Sequence, residues 1–455
     1  MKTIIPRRYL AIVAVITAIV MTVLDGTIMN VALPSLARQF RVSPDDSIWI
    51  VNSYQMVIMM TLLVFATIGD RVGYRRVFVA GVALFLVSSV LCALSTSFEM
   101  LVCVRALQGL GASAVMSVNV ALVRLIYPPE ILGRGMSFNA MAVAVSAAAG
   151  PSIGGAIITS LSWEWIFLAN VPFALMALLV GRRLLPDNPQ LSEHPVDKWS
   201  CLGNVLTFGL LIYAVESFAH HGNGLAITLM LLGCAVAGVL YVRRQLRMPL
   251  PLLPVDLLRI PLFSLSIAAS ICAFMAQMML LIAFPFFLQD NLSFSPIEAG
   301  VLVTPWPLGM MLMAPLAGRL VERYHPGTLG AIGMLIFASG LISCYFLPAD
   351  ASTADIWWRV GLGGIGFGLF QTPNNLTIMS SSPMRRSGAA SGMLGMARLV
   401  GQTVGATLVA IVFSFMPHTE GSRHCFLIAL FIALAASAMS ASRLTQTFVN
   451  PRNRR

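Results

Sequence analysis

Charged side chains are scarce in this sequence. Asp, Glu, Lys and Arg together make up 10% of the 455 residues, whereas a soluble domain carries about 25%. Apolar residues make up 58% of the chain, and the mean hydropathy is +0.84. This composition excludes disordered, collagen-like and disulfide-stapled proteins. It also indicates that most of the chain does not face water.

Histidine and cysteine are too scattered to suggest a catalytic or metal-binding site. The six histidines fall in connections or at the very edge of an apolar run, and none of the seven cysteines forms a Cys-x-x-Cys pair. Most cysteines lie inside apolar runs, which is typical of small core residues. A membrane-embedded enzyme should carry clustered His, Ser or Asp inside these runs, and the sequence shows no such cluster. We therefore expect neither an enzyme nor a bound metal or cofactor.

Long apolar runs recur from one end of the sequence to the other. A membrane-spanning helix needs about 20 apolar residues, and the runs do not alternate every second residue as barrel strands do. The first run is not expected to be a cleaved signal peptide, because it is too long and carries Asp25. Fourteen spans are predicted, near residues 10–33, 48–68, 77–96, 100–123, 136–160, 165–185, 200–219, 224–242, 261–288, 299–321, 328–347, 356–380, 387–416 and 423–443.

The basic residues are unevenly distributed between the two sides of the membrane. If the N-terminus is cytoplasmic, the cytoplasmic segments hold 23 of the 29 Lys and Arg residues and the outer segments hold three. This positive-inside bias predicts a multi-pass protein of the bacterial inner membrane with both termini in the cytoplasm. The net charge of +11 does not indicate nucleic-acid binding, because the basic residues are not interleaved with aromatics. The expected partner of the apolar surface is therefore the lipid bilayer.

Two features of the sequence occur twice at nearly the same offset. Asp70 and Glu322 each precede an Arg at the end of a predicted span, 252 residues apart. Arg105 and Arg359 each begin a glycine-containing span, 254 residues apart. This shared offset predicts two copies of a six-helix unit, with the seventh and eighth spans as an insertion. Parallel repeats of this kind are typical of transporters whose substrate site lies near the membrane midplane.

The predicted fold is therefore an all-α membrane protein of two six-helix bundles plus two inserted helices. The N-terminal bundle is predicted over 1–185 and the C-terminal bundle over 261–455. Between them, 186–260 holds a cytoplasmic loop, the two inserted helices and a basic linker. We expect a monomer, because the two fused halves already close a transport pathway.

Asp25 is the one acid clearly embedded in the repeated part of the chain. An ionisable residue at this depth usually marks an ion or substrate pathway, so Asp25 is a candidate proton carrier. The alternative is a fixed partner in a structural ion pair. Arg105 should lie at a similar depth, because the first predicted span runs outward and the fourth runs inward. We predict that the two side chains interact.

Arg398 lies in the middle of the thirteenth span, where a charge should face a polar cavity. Substrate contact and structural pairing are equally supported for this residue. The substrate-cavity candidates are Asn30, Asn52, Gln55, Trp306, Asn374 and Arg398.

The fifth span contains a glycine- and proline-rich motif. Pro151 removes a backbone donor, and Gly150, Gly154 and Gly155 permit close approach of a neighbouring helix. Such a helix can act as a gate, although a packing kink without a gating role is the alternative.

The loop after the second span is short and basic. Asp70 could accept hydrogen bonds from the N-terminus of a neighbouring helix, where an anion is favoured. Arg71, Gly73 and Arg75 lie in the same loop. A topology signal is the alternative role, and both roles can hold at once.

Taken together, these motifs resemble the major facilitator superfamily, and more narrowly its fourteen-helix drug:proton antiporter branch. Ala66 departs from the family's loop signature, which usually has Gly there, and Tyr74 replaces a usual basic residue. The matching segments are Asp25-Gly-Thr-Ile-Met-Asn30-Val-Ala-Leu-Pro34, Gly69-Asp70-Arg71-Val-Gly73-Tyr-Arg75-Arg76, Arg105-Ala-Leu-Gln108-Gly109-Leu-Gly111, Gly150-Pro151-Ser-Ile-Gly154-Gly155 and Trp163-Glu-Trp165-Ile-Phe167-Leu-Ala-Asn170-Val-Pro172.

The resemblance implies a role for each motif. The proton-coupling site would contain Asp25 and Arg105. Asp70 and Arg71 would lock the outward-open state against the other half, and Gly73 and Arg75 belong to the same candidate lock. Gly150 and Pro151 would form the antiporter gate.

The expected function is proton-coupled antiport by alternating access, driven by the proton gradient. The exported substrate would be a small, lipophilic, cationic drug or toxic compound. A dedicated exporter of one metabolite, peptide or siderophore-like compound is the main alternative. A channel-like scaffold is a weaker one, and the fifth-span motif argues against an importer.

Overall fold

The computed structural model describes residues 7–42, 44–47, 49–188, 191, 197–219, 224–248, 251–294, 296–348 and 350–445. Within these ranges the chain is helical and contains no strand. The prediction of an all-α protein is therefore confirmed.

The first part of the chain contains six predicted spans, and each lies on a helix or a pair of helices. Their bounds are α1 (Arg7–Phe40), α2 (Pro44–Ser47), α3 (Trp49–Val72), α4 (Tyr74–Ala93), α5 (Phe98–Ile126), α6 (Leu132–Ser160), α7 (Glu164–Leu168) and α8 (Asn170–Leu184).

The remaining eight predicted spans also lie on helices. Their bounds, with one short linker helix, are α9 (Lys198–Ala219), α10 (Gly224–Gln245), α11 (Val255–Leu258), α12 (Pro261–Leu292), α13 (Pro296–Val303), α14 (Pro305–Leu320), α15 (Pro326–Tyr345), α16 (Thr353–Ser381), α17 (Ser387–Phe415) and α18 (His418–Ser442).

Helix boundaries follow local sequence signals. The Ser97 hydroxyl accepts a hydrogen bond from the Met100 N–H at the start of α5, which satisfies an otherwise unpaired donor. Ser352 and Asp355 form a capping box at the start of α16. Proline occupies the first turn of α12, α14 and α15, where its missing N–H costs no helical bond.

Ten segments of the described chain are long and apolar enough to cross a membrane. They lie in α1, α3, α4, α5, α7–α8, α12, α13–α14, α15, α17 and α18. The other four predicted spans coincide with α6, α9, α10 and α16, which are not among the ten. The protein is thus a multi-pass membrane protein by its helices, and the count of fourteen crossings stays a prediction.

The chain forms two compact units. Unit 1 contains the described residues of Met1–Pro128, Ser146–Asp256 and Pro383–Gly395. In it, α3 and α4 pack on α5, α1 packs on α8, α9 of the inserted pair packs on α3, and α10 packs on α9. Leu24, Ile50 and Phe167 belong to its apolar core. The inserted helices are therefore part of this unit.

Unit 2 contains the described residues of Pro129–Val145, Leu257–Ser382 and Met396–Arg455. Its helix α12 packs on α18, and α16 packs on both α14 and α15. The core is rich in aromatic rings. The predicted division at 185 and 260 concerns the repeats in the sequence and stays a prediction.

Candidate functional site

Asp25 lies at the centre of a buried polar cluster in unit 1. The Nη1 group of Arg105 donates to Asp25 Oδ2 over 2.6 Å, and both side chains are fully buried. Asn170 Nδ2 donates to Asp25 Oδ1 over 2.9 Å, and Gln108 Nε2 donates to the same oxygen over 3.3 Å. Every one of these neighbours donates, which matches the acceptor-only character of an ionised carboxylate.

Several helices contribute to this cluster. Gln108 also donates to Ser89 Oγ on α4 over 2.9 Å and accepts from Arg105 over 2.6 Å. The Arg105 Nε group donates to the Ile50 carbonyl on α3 over 3.1 Å. The carboxylate of Asp25 on α1 therefore shares one hydrogen-bond network with α3, α4, α5 and α8.

The Arg105 guanidinium also faces two aromatic rings. It lies 4.3 Å from the centroid of Tyr54 and 5.9 Å from that of Phe167, a cation–π arrangement. Its Nη2 atom is buried and has no hydrogen-bond partner in the described part of the chain. Asp25 is the only acid within ion-pair distance of Arg105 among the described residues. Loss of the Asp25 charge would leave the buried cation without an anion.

The predicted contact between Asp25 and Arg105 is thus confirmed, while its role in proton coupling stays a prediction. Three members of the cluster were missed: Ser89, Gln108 and Asn170. Sequence signals existed for two of them. Gln108 lies one helical turn from Arg105, and Asn170 is the one polar residue in the apolar stretch 165–172.

Asp70 forms a second buried network in unit 1, at the end of α3. Its Oδ1 accepts hydrogen bonds from the Gly388 N–H over 2.8 Å and from the Tyr74 hydroxyl over 2.6 Å. Its Oδ2 accepts from the Ala389 N–H over 3.1 Å. The carboxylate therefore caps the N-terminus of α17, where free N–H groups and the helix dipole favour an anion. The predicted interaction of Asp70 with a helix N-terminus is confirmed.

Close packing makes the Asp70 network possible. A Cβ at Gly388 would overlap Asp70 Oδ1 and lie 2.7 Å from the Ala66 carbonyl and 2.8 Å from the Tyr74 ring. Ala66 itself packs on Gly392, where an added Cβ would lie 2.6 Å from the Ala66 methyl. The two departures from the family's loop signature, Ala66 and Tyr74, thus both contact α17 in the structure.

Among the other residues of the candidate lock, Gly73 is buried, whereas the two arginines are more exposed than Asp70. Gly73 has φ of +104°, a conformation that favours glycine, and it allows α4 to begin two residues after α3 ends. Arg75 pairs with Asp187 over 3.4 Å near the surface. Arg71 is exposed and makes no hydrogen bond or ion pair within the described residues. No contact among the described residues supports the predicted locking role of Arg71, which stays a prediction.

The glycines of the candidate gate pack on α1 close to Asp25. A Cβ at Gly150 would overlap the side chain of Thr27, and one at Gly154 would lie 3.0 Å from Ile28 Cγ2. A Cβ at Gly155 would meet no atom within 4 Å. Helix α6 stays helical through Pro151, whose side chain lies outside the described part. The close approach lies less than one turn from Asp25, and gating stays a prediction.

The substrate-cavity candidates have different surroundings. Trp306 is buried in the aromatic core of unit 2, 5.2 Å from the Phe337 ring and 5.6 Å from the Phe367 ring. Asn52 is half-buried and Gln55 is exposed, whereas the side chain of Asn30 lies outside the described part. Trp306 thus packs against other aromatic rings, and the cavity roles of all these candidates stay predictions.

Two further candidates lie in unit 2 with clear neighbours. The Arg398 guanidinium is half-buried and lies 6.0 Å from the Phe274 ring centroid. It has no carboxylate within ion-pair distance among the described residues. Asn374 is fully buried and donates to Ser270 Oγ over 2.7 Å. Its Oδ1 accepts a hydrogen bond from Arg443 over 2.8 Å.

Arg443 is a buried cation that the sequence did not indicate, because it is the final residue of the last predicted span, where a charge is expected to face water. It donates to Asn374 Oδ1, to Ser266 Oγ over 3.1 Å and to Ser440 Oγ. All of these partners are neutral. Asn374 thus supports a buried arginine rather than facing open space.

Comparison with known proteins places the chain in a family. The Major Facilitator Superfamily model matches residues 15–406 and 267–454. Uncharacterized transporter YebQ of Escherichia coli (strain K12) is 50% identical over 450 residues, which is 99% of this chain and 97% of that protein. Multidrug efflux pump LfrA of Mycolicibacterium smegmatis (strain ATCC 700084 / mc(2)155) is 30% identical over 413 residues, covering 90% of this chain and 81% of the pump.

A solved structure shares the fold. The crystal structure of the human organic anion transporter MFSD10 (TETRAN) matches with a TM-score of 0.71 and 16% sequence identity, covering 96% of this chain and 100% of that one. These matches agree with the resemblance found in the sequence motifs. The chain belongs to the Major Facilitator Superfamily and is a transporter of small molecules rather than an enzyme.

Proposed function

We propose that the protein is a proton-coupled antiporter that exports small lipophilic compounds, cationic drugs or toxic compounds foremost, across the bacterial inner membrane by alternating access. It would act as a monomer with both termini in the cytoplasm. The similarity to Multidrug efflux pump LfrA supports efflux as the direction and drugs as the substrate class.

The buried Asp25–Arg105 pair carries this proposal. A charged pair removed from water is costly unless both charges are compensated. A proton on Asp25 would cancel the negative charge and leave Arg105 held by Gln108, the Ile50 carbonyl and the Tyr54 ring. The packing of α1, α5 and α8 around the pair would then favour a different arrangement. Proton binding at Asp25 is in this way linked to conformation.

The candidate gate lies close enough to respond to that change. Gly150 and Gly154 of α6 touch α1 at Thr27 and Ile28, two and three residues after Asp25. A shift of α1 would move the surface on which these glycines pack. Proton uptake, substrate release and helix movement would then proceed together.

The test is dye efflux with and without the proton carrier. Asp25→Asn keeps the shape of the side chain and removes the charge, so ethidium efflux from a pump-deficient strain should fall to the background level. Wild-type efflux should stop when a protonophore collapses the gradient. The rates are followed by ethidium fluorescence in cells with matched amounts of protein in the membrane.

Glu99→Gln provides the matched control. Glu99 is exposed at the start of α5 in the same unit, and its neutralisation should leave efflux unchanged. Wild-type rates in Asp25→Asn, with unchanged pH dependence, would show that Asp25 is retained for structure alone.

A dedicated exporter of a single metabolite, peptide or siderophore-like compound is the second candidate. Both oxygens of Asp25 are occupied by Arg105, Gln108 and Asn170, so the carboxylate is not open to a cationic substrate. Arg398 adds a cation without a carboxylate neighbour in the described chain. Absence of dye efflux by wild-type protein, with one compound accumulating in a deletion strain, would favour this candidate.

A further inference from the structure

We infer that the linker after the inserted helices is a second cytoplasmic latch, which holds the N-terminal end of α17 through Arg386. This assigns a conformational role to the inserted pair α9–α10 and to residues 251–258. The inference rests on alternating access and is independent of proton coupling.

Arg386 is the centre of the latch. It ends the 3-10 turn Met384–Arg386 directly before α17 and is only 4% exposed. Its Nη2 group donates to the Asp256 carboxylate over 2.8 Å and to the Pro251 carbonyl over 3.0 Å. Charge-assisted hydrogen bonds from a buried guanidinium are stronger than neutral ones. The turn before α17 is thus tied to the linker at two points.

The linker is itself held by the inserted helices. Gln245, the last residue of α10, is fully buried. Its Oε1 accepts from the Leu252 N–H over 2.7 Å and the Leu253 N–H over 3.2 Å, while its Nε2 donates to Ser200 on α9 over 2.6 Å. A single side chain therefore fixes the linker to both inserted helices.

The inserted helices are anchored in turn on α3. Asn204 of α9 is buried and donates to the Met60 carbonyl over 2.7 Å, and the Tyr241 hydroxyl of α10 donates to Asn204 Oδ1 over 3.2 Å. The last turn of helix α3 also carries Asp70, which caps α17 at Gly388. The segment 383–395 is consequently held by α3 twice, once directly through Asp70 and once through α9, α10 and the linker.

Such a double attachment has a mechanical consequence. Any rearrangement that withdraws residues 383–395 from unit 1 must break the Asp70 cap and the Arg386 contacts together. The linker contacts therefore add to the stability of the state described here. Weakening them should shift the population toward the state in which the start of α17 is released.

The experiment measures release of the segment directly. Ser391 is 2% exposed, so a Ser391→Cys reporter in an active background without native cysteines should react slowly with a membrane-permeant maleimide. Arg386→Gln and Asp256→Asn should each raise that rate about three- to tenfold, the range expected for a partly exposed charge-assisted bond. Because both act on one contact, the double variant should react no faster than Arg386→Gln alone.

Arg385→Gln is the matched control, since Arg385 is exposed in the same turn and should leave the rate unchanged. Gln245→Leu should raise the rate although it lies outside the Arg386 contact. The labelling needs no transported substrate, so it is decided separately from the efflux assay.

Melting temperatures in detergent distinguish latch release from general loosening. If Gln245→Leu fails to fold, the mild Asp256→Asn variant still decides the question. A wild-type labelling rate in Asp256→Asn, additive effects in the double variant, or an equal increase in Arg385→Gln would each overturn the latch.

Discussion

Arg105 and Arg443 are both fully buried, but different partners compensate their charges. Arg105 is compensated by the carboxylate of Asp25, so its environment depends on whether that acid carries a proton. Arg443 has only the neutral partners Asn374, Ser266 and Ser440, and no proton-dependent partner among the described residues. A buried charge is costly unless hydrogen bonds satisfy it. Arg105 is therefore suited to switching and Arg443 to holding α12, α16 and α18 together.

Asn374→Leu tests the structural role of Asn374. The substitution removes the acceptor of Arg443 and the donor to Ser270, and a buried group left unpaired costs about 1–3 kcal/mol. The variant should melt at a lower temperature in detergent, as measured by intrinsic fluorescence. Asn375→Leu is the neighbouring control, because Asn375 makes no hydrogen bond within the described chain. Unchanged melting of Asn374→Leu with altered efflux selectivity would restore Asn374 to the substrate cavity.

At the scale of elements, α6 and α17 differ from the other long helices. Residues 132–145 of α6 belong to unit 2 and 146–160 to unit 1, whereas 387–395 of α17 belong to unit 1 and 396–415 to unit 2. The unit-1 parts carry the Gly150 approach and the Asp70 cap. In unit 2, Arg134 of α6 pairs with Glu322 over 2.8 Å. In the predicted repeat, Glu322 occupies the position that corresponds to Asp70. Both helices thus have charged or capped contacts at their N-terminal ends.

The glycines of α6 offer a graded test of the gate. Gly150→Ala should reduce efflux strongly, because the methyl group would overlap Thr27 and push α1 away from α6. Gly155→Ala should have little effect, since the same methyl group would meet no atom within 4 Å. Overpacking of this kind costs about 1–3 kcal/mol. The measurement compares the efflux rates of the two variants at matched protein levels. Equal effects of Gly150→Ala and Gly155→Ala would contradict a packing gate.

At the scale of the whole molecule, the number of membrane crossings is the open quantity. Ten helical segments satisfy length and hydropathy, and four more predicted spans coincide with α6, α9, α10 and α16. If the inserted pair α9–α10 crosses the membrane, residues 220–223, which connect the two helices, lie on the outer side of the membrane. The packing of α9 on α3, which is itself a candidate span, supports insertion of the pair across the membrane.

Reporter fusions test this topology. Alkaline phosphatase fused after residue 222 should be active, because the connection between α9 and α10 is predicted to lie outside. Fusions after residue 190 and at the C-terminus should be inactive, since the positive-inside bias places both in the cytoplasm. Green fluorescent protein at the same sites should show the opposite pattern. An inactive fusion at 222 would reduce the crossings from fourteen.

Parts of the candidate site could be predicted because they depend on single residues in apolar surroundings. Asp25 and Arg105 stand out in their spans, and the alternating direction of the helices places them at one depth. Asp70 stands at a helix end, where an anion finds N–H donors. Gln108 and Asn170 were missed because amide side chains serve equally well in packing and in hydrogen-bond networks. The sequence does not decide between a cavity and a core for Trp306, because an aromatic residue in a span is compatible with both.

The order of residues along the chain is enough to predict the fold class, the family and the embedded charges. Hydrophobic length and the cost of an unpaired backbone in lipid leave few alternatives to helices, and a lone charge in an apolar run needs no structure to be noticed. The donors around Asp25, the capping of α17 by Asp70 and the contact of Arg386 with the linker follow from tertiary contacts alone. These contacts join residues far apart in the chain, and their energy depends on distances of a few tenths of an ångström. No periodicity or spacing along the sequence encodes them.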